Sequence, residues 1–117
     1  MLYDTFSGRG LSNKCVVNSG GKDAHLICQA MLPLNNRLGL HMRAAAELVK
    51  TASKYHCQIR VACGPHIANG KSLLALLALG VSCGMNVSLI ADGDDALQAL
   101  DAIKQLIENR FSYIGRF

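Results

Sequence analysis

The fold is decided by residues 26–55, which read LICQAMLPLNNRLGLHMRAAAELVKTASKY. In its first third every second residue is apolar (Leu26, Cys28, Ala30, Leu32 and Leu34), a pattern typical of a half-buried strand. Pro33 has no N–H to donate, so we predict that this strand lies at a sheet edge. From Met42 to about Tyr55 the apolar residues recur at helical spacing, which predicts a helix after the intervening loop.

The residues that follow continue as strands and helices. The alternation over 57–63 and 85–91 predicts two strands, with a short return strand at 66–68 after a Gly-Pro turn. Residues 72–79 predict a brief apolar helix, stopped by a glycine in its C-terminal cap. The last helix begins at Asp94 or Asp95 and runs to about Asn109, and these acids suit its cap and first turn. The order βαββαβα predicts an α+β sandwich with an antiparallel sheet.

Residues 1–23 carry little periodic signal and are rich in glycine and serine. We interpret them as a flexible N-terminal extension of a single domain that spans residues 24–117. An alternative is that the short apolar run at 15–17 adds an edge strand.

Composition and charge restrict the function. The chain has 117 residues, of which 50% are hydrophobic and 17% are charged, as expected for one soluble globular domain. The formal net charge is +4, and the basic residues are scattered. This pattern argues against nucleic-acid binding and slightly favours an acidic protein partner. No apolar run approaches a membrane span, and the first residues do not resemble a secretory signal, so we expect a cytoplasmic monomer.

The five cysteines are odd in number and form no C-x-x-C pair. They therefore predict a reducing cytosol and no disulfide framework. His25 with Cys28, or His56 beside Cys57, does not supply the four ligands of a zinc site, so we predict neither metal nor cofactor. The P-loop-like residues 70–72 lack the required earlier glycine, which excludes nucleotide binding by that route.

The candidate site is at His41, where the loop ends and the first helix begins. A helix N-terminus presents unpaired N–H groups and partial positive charge, so it is an anion site. Arg43 in the first turn can contact the same anion, although a cation there opposes the helix dipole. Such a local conflict is typical of functional sites. Alternatively, His41 is a loop residue without a chemical role and Arg43 is merely solvated.

Residues 36–45, read as Asn-Arg-Leu-Gly-Leu-His-x-Arg-x-Ala, resemble the active-site signature of the HPr family, the histidine-containing phosphocarrier proteins of the bacterial phosphotransferase system. The resemblance covers roughly residues 26–111. It implies an open-faced sandwich of four antiparallel strands covered on one face by three helices. It also implies phosphorylation of His41 on Nδ1, assisted by Arg43, in a carrier rather than an enzyme.

The implied partners are enzyme I, charged from phosphoenolpyruvate, as donor and enzyme IIA-type domains as acceptors. Two positions depart from the family's pattern. Ala44 stands where proline is frequent, which predicts a less rigid helix start. Met42 replaces a small residue, which we expect to influence partner choice.

The second helix suggests a contact surface. Leu73, Leu76 and Leu77 cannot share one helix face with Leu74, so at least one leucine is predicted to be exposed. The resemblance implies that Leu73, Leu74 and Leu77 dock on partners, whereas the alternative places all of them in the core. Ser72 suits the N-cap of this helix. It also aligns with a serine that an HPr kinase phosphorylates in some family members.

Two functions of different classes follow. The first is a phosphoryl carrier that receives phosphate on His41 and passes it on, in sugar uptake or in regulation. The alternative is a regulatory binding protein that acts on a kinase or transcription factor through Ser72 and the leucines, with little phosphoryl flux. His41 together with Arg43 favours the first.

Overall fold

Three helices cover one face of an antiparallel sheet. The structure is a computed structural model and describes residues 2–6, 12–18, 25–109 and 111. The strands are β1 (Leu2–Phe6), β2 (Ser12–Asn18), β3 (His25–Pro33), β4 (Gln58–Cys63), β5 (His66–Asn69) and β6 (Asn86–Asp92), and the helices are α1 (Met42–Ala52), α2 (Leu73–Leu79) and α3 (Ala96–Glu108).

The strand order is β1-β2-β3-β6-β4-β5, and every neighbouring pair is antiparallel. From β3 onward the elements follow the predicted order βαββαβα. Helix α3 packs on β3 and β6, helix α2 packs on β5, and α1 contacts both other helices. The predicted α+β fold, with four antiparallel strands and three helices, is confirmed, and β1 and β2 extend its sheet beyond β3.

The N-terminal segment differs from the flexible extension expected for residues 1–23. Residues 2–6 and 12–18 form β1 and β2, and β2 pairs with β3 from Lys14↔Gln29 to Asn18↔His25. The free side of β3 supplies hydrogen-bond partners that no local pattern in this segment discloses. The expected boundary between residues 23 and 24 falls in a segment, 19–24, that lies outside the described residues.

The prediction of an edge position for β3 needs correction for the same reason. Strand β3 lies between β2 and β6, and the β2 ladder ends at Gln29. Pro33 pairs with Asn86 of β6 beyond the end of that ladder. The missing N–H of Pro33 is therefore accommodated where β3 has one neighbour among the described strands, although the strand as a whole is not an edge.

The cysteines also differ from expectation. Cys15 of β2 and Cys28 of β3 face each other in register and are joined by a disulfide. Cys57 is a free, buried thiol, Cys63 is half-buried and Cys83 is exposed. The prediction of no disulfide framework, which rested on the odd number of cysteines and the lack of a C-x-x-C pair, is therefore wrong for this pair. Cysteine spacing carries no information on the β2–β3 pairing that brings positions 15 and 28 together.

Asp95 precedes α3, but its carboxylate does not cap that helix. It instead accepts the backbone N–H groups of His56 (2.8 Å) and Cys57 (2.9 Å), which enter β4. Desolvation opposes ionisation, but these two N–H groups, together with hydrogen bonds from the Cys57 thiol and from the backbone of Asp95 itself, lower the pKa of Asp95 below its ordinary value of 3.8. Asp95, which was predicted to cap α3, therefore connects the start of α3 to the start of β4.

We predict that Asp95→Ala lowers the free energy of unfolding by about 1–2 kcal/mol at neutral pH, because two hydrogen bonds to a charged acceptor are lost. A depressed folded-state pKa stabilises the fold above pH 3.8 and loses that contribution as the pH falls through the folded-state pKa. Urea unfolding at several pH values measures both effects. The exposed neighbour Asp94→Ala is the control, and an equal loss in both variants would contradict the assignment.

Candidate functional site

The loop between β3 and α1 is bound to the segment that follows α2. The N–H of Leu40, the residue directly before His41, donates to the C=O of Val81 (2.9 Å). At the start of the loop, the N–H of Leu34 donates to Met85 (2.9 Å) and the C=O of Leu34 accepts from Gly84 (2.7 Å). Three backbone hydrogen bonds therefore hold residues 34–40 against residues 81–85.

Gly39 fits this junction because it has no side chain. Its φ is +68°, in the left-handed region that favours glycine. A Cβ at this position would lie 2.5 Å from the C=O oxygen of Val81 and 2.9 Å from Cα of Ser82. Both the backbone conformation and the close approach of two chain segments therefore require glycine directly before Leu40 and His41.

Asn36 closes the turn of this loop. It is buried, with an exposed fraction of 6%. Its Nδ2 donates to the C=O of Gly39, and the N–H of Gly39 donates to the C=O of Asn36 (3.0 Å). Asn36 belongs to the motif of residues 36–45, but the motif alone predicts no role for it. Asparagine directly before a turn is the available signal, because its side chain bonds readily to nearby backbone.

His41 is the N-cap of α1, as the sequence predicts for the start of this helix. Its backbone is extended (φ −81°, ψ −179°), and its side chain makes no capping hydrogen bond. The first helical bond runs from the N–H of Ala45 to the C=O of His41 (2.8 Å), so the N–H groups of Met42, Arg43 and Ala44 precede the helical ladder. The imidazole is half-exposed beside them.

The surroundings of His41 are open and carry positive charge. Arg43 is exposed, and the first turn of α1 contains no acidic residue. Met42, the residue after His41, is 59% exposed, and Leu38, three residues before the histidine, is 72% exposed. Exposed apolar side chains therefore lie near His41 in the sequence on both sides. Helix amides, a guanidinium group and an accessible imidazole together can receive a small anion without enclosing it.

Helix α2 has one exposed face and one buried face. Its N-cap is Ser72, whose hydroxyl accepts the N–H of Ala75 (3.3 Å), which confirms the predicted cap. Leu76 is fully buried, whereas Leu74 is 79% exposed. Leu73 and Leu77 are half-buried. The prediction that at least one leucine must be exposed is therefore confirmed, and the exposed side chain is Leu74.

Helix α2 is connected directly to the histidine loop. It ends at Leu79, followed by Gly80 in the left-handed conformation (φ +69°). Val81 comes next, and its C=O accepts the N–H of Leu40. Residues 81–85 are not among the site residues predicted from the sequence, because backbone hydrogen bonds between distant segments leave no residue-type signature.

Among the described residues, no group of three or more histidine, cysteine or acidic side chains could hold a metal ion. No helix in the described ranges is long and apolar enough to cross a membrane. His66, on β5, is exposed.

An open-faced α+β sandwich with a histidine and an arginine at the start of its first helix has the architecture of the small phosphocarrier proteins. The family model described as "PTS HPr component phosphorylation site" matches residues 28–109. The chain belongs to the HPr family, the phosphocarriers of the phosphotransferase system.

Individual relatives agree with this assignment. The phosphocarrier protein HPr of Pseudomonas aeruginosa is 44% identical over 77 residues, which cover 65% of this chain and 86% of the relative. The phosphocarrier protein NPr of Shewanella violacea is 41% identical over 76 residues, covering 65% of this chain and 84% of the relative. The crystal structure of HPr-C-His from Thermoanaerobacter tengcongensis superposes with a TM-score of 0.69 at 42% identity, covering 71% of this chain and 93% of that one.

We predict that Gly39→Ala destabilises the protein by roughly 2–5 kcal/mol, because a left-handed alanine is strained and its Cβ meets backbone atoms. Chemical unfolding measures the loss, and the NMR signals of the His41 ring report displacement of the site. Gly64→Ala is the matched control, since Gly64 also has positive φ (+60°) but a Cβ there has no neighbour within 4 Å. An equal loss in both variants would show that packing against Val81 is unimportant.

Proposed function

We propose that the protein carries a phosphoryl group on His41, accepting it from phospho-enzyme I and passing it to enzyme IIA-type domains. The observation that carries the proposal is the placement of a half-exposed imidazole at the N-terminus of α1. Membership in the phosphocarrier family supports a carrier role rather than a catalytic one. We further infer that the chain acts in the cytoplasm as a monomer.

In the proposed transfer, the unprotonated Nδ1 of His41 forms a bond to phosphorus while the bond between phosphorus and the donor breaks. The N–H groups of Met42, Arg43 and Ala44 and the guanidinium group of Arg43 then face the phosphoryl oxygens. The reverse process delivers the group to the acceptor. The bond between Nδ1 and phosphorus is broken when the acceptor takes the phosphoryl group, so His41 returns to its starting state.

An open anion site suits such a relay. A closed and strongly charged pocket would stabilise the phosphorylated state and slow its discharge. Here the arginine is exposed and the amides belong to one helix end, so the stabilisation is modest. The acceptor protein can therefore approach the phosphorus directly.

We also propose that Leu73, Leu74 and Leu77, with Met42, contact the partner proteins. Leu74 (79% exposed) and Met42 (59% exposed) present apolar surface, and Val81 connects the end of α2 to the histidine loop. Apolar side chains at the centre of an interface exclude water and supply much of the affinity.

A second candidate function is regulation through Ser72, favoured by the exposed Leu74 two residues further on. In that function, a kinase phosphorylates Ser72 and the added charge changes how the leucines dock on a kinase or transcription factor, with little phosphoryl flux through His41. A phosphate at the N-cap of α2 is compatible with the helix dipole, so it would act on docking rather than on folding.

The first test is phosphorylation in solution. Incubation with phosphoenolpyruvate and a bacterial enzyme I should give an acid-labile phosphate that His41→Ala abolishes. Arg43→Ala should slow the transfer roughly 10- to 100-fold, because one charge-assisted contact is lost. His66→Ala is the matched control, since His66 is also exposed and should leave labelling unchanged. Acid-stable label, or label that persists in His41→Ala, would contradict the proposal.

The second test concerns docking. We expect Leu74→Ser to raise the KM for transfer from enzyme I about tenfold at unchanged kcat, because an exposed interface leucine contributes about 1–2 kcal/mol to binding. Ile67→Ser is the control, since Ile67 is 64% exposed but alternates with the buried Ala68 and so lies on the sheet face opposite the helices. Equal effects of both variants would exclude the docking surface. If His41→Ala left the activity of a regulated kinase or transcription factor intact while Leu74→Ser abolished it, the regulatory function would replace the carrier function.

A further inference from the structure

We propose that Cys15 and Cys28 form a reversible thiol–disulfide switch that attaches the N-terminal hairpin, strands β1 and β2, to β3. The proposal goes beyond the phosphoryl carrier, although its redox argument rests on the cytoplasmic location proposed with that function. The switch controls whether the hairpin stays on the sheet, and it lies at the end of β3 that is remote from His41.

The register of β2 and β3 places the two sulfur atoms together. Cys15 and Cys28 are directly opposite each other in the β2–β3 ladder and are disulfide-bonded, with a Cα–Cα distance of 4.0 Å. Cys28 is fully buried and Cys15 is 3% exposed. Strand pairing therefore presents one thiol to the other whenever the hairpin is docked.

The disulfide reinforces a short strand pairing between the N-terminal hairpin and β3. Strand β1 pairs with β2, and β2 pairs with β3 over five positions. Cys15 lies second in that ladder, between Lys14 and Val16. The hydrogen bonds of so short a ladder open readily, whereas a disulfide between the strands restrains their separation.

A disulfide in a cytoplasmic carrier calls for a specific explanation. Reducing conditions remove most disulfides there, and those that form are usually transient or redox-sensing. The buried Cys57 does not offer the same chemistry. Cys57 is a buried thiol whose pKa is raised to about 12 by burial and by Asp95, so it stays protonated and unreactive. Cys83 is exposed, and its Sγ contacts the C=O of Asn35 in the loop before His41.

The chemistry balances with a low-molecular-weight disulfide such as oxidised glutathione. One thiolate attacks that disulfide, forms a mixed disulfide and releases one glutathione; the second thiolate then attacks the protein sulfur and releases the other. Two protein thiols and one glutathione disulfide thus become one protein disulfide and two glutathione thiols. Because both sulfurs are buried when the hairpin is docked, the first step requires that β2 lift from β3.

The disulfide is separated from the histidine loop by the second half of β3. Cys28 pairs with Ala91 near the end of β6, whereas Pro33 pairs with Asn86 at its start, beside the histidine loop. Release of the hairpin exposes the edge of β3 from His25 to Gln29 and leaves the β3–β6 ladder intact. Redox state should therefore change the N-terminal hairpin without changing His41.

Hydrogen exchange of the full chain tests the switch. We use a Cys63→Ser/Cys83→Ser background, equilibrate it with oxidised glutathione or with dithiothreitol, and map free thiols by alkylation and mass spectrometry. The oxidised form should protect Cys15 and Cys28 from alkylation. Exchange of the β2 amides should slow by up to the order of 100-fold, as expected for cross-linking a loop of about 15 residues.

Cys15→Ser in the same background should exchange equally fast under both conditions, like the reduced protein. Full alkylation of Cys15 and Cys28 in the presence of oxidised glutathione would overturn the proposal, and so would equal exchange of β2 in the two redox states of the parent. If Cys15→Ser fails to fold, the parent compared in its two states decides the question. Phosphorylation by enzyme I is measured on both states; its absence from both would refute the carrier function and leave the switch standing.

Discussion

The hydrogen bond from Leu40 to Val81 is the constraint on which the site depends. It joins the last residue before the histidine to the first residue after the cap of α2, so His41 is positioned by two distant parts of the chain. The bond exists because Gly39 allows the two backbones to approach, and Asn36 keeps the turn in the required conformation. The helix start alone would supply amides but not a fixed direction for the imidazole.

This arrangement links two surfaces that the sequence suggests separately. Gly80 ends α2 in a left-handed cap, and Val81 follows at once on the histidine loop. A displacement of α2 would therefore be transmitted to Leu40 through Val81. The helix that carries the exposed Leu74 is thus joined to the histidine loop by a backbone hydrogen bond directly after its cap.

Local patterns predicted the elements from β3 onward, and long-range pairing explains what they missed. The alternation of Ile59 and Val61 and the helical spacing around Leu48 depend on nearby residues, so they are readable from sequence. The residue type of Asp95 predicts a helix cap, but the chain at residues 55–57 brings the N–H groups of His56 and Cys57 to its carboxylate instead. The family resemblance supplied the proposed chemical role of His41, whereas Val81 had no signal of its own.

The N-terminal hairpin illustrates the same limit and suggests why the family domain does not need it. The family match begins at residue 28, and the four strands from β3 to β6 already form a complete sheet under the helices. In such a sheet the outer side of β3 is an unpaired edge, which favours pairing with any available strand. Here the chain's own β2 occupies that edge. Because the hairpin pairs only with the outer side of β3, the four strands and the histidine loop keep the same hydrogen-bond partners on the other side of β3.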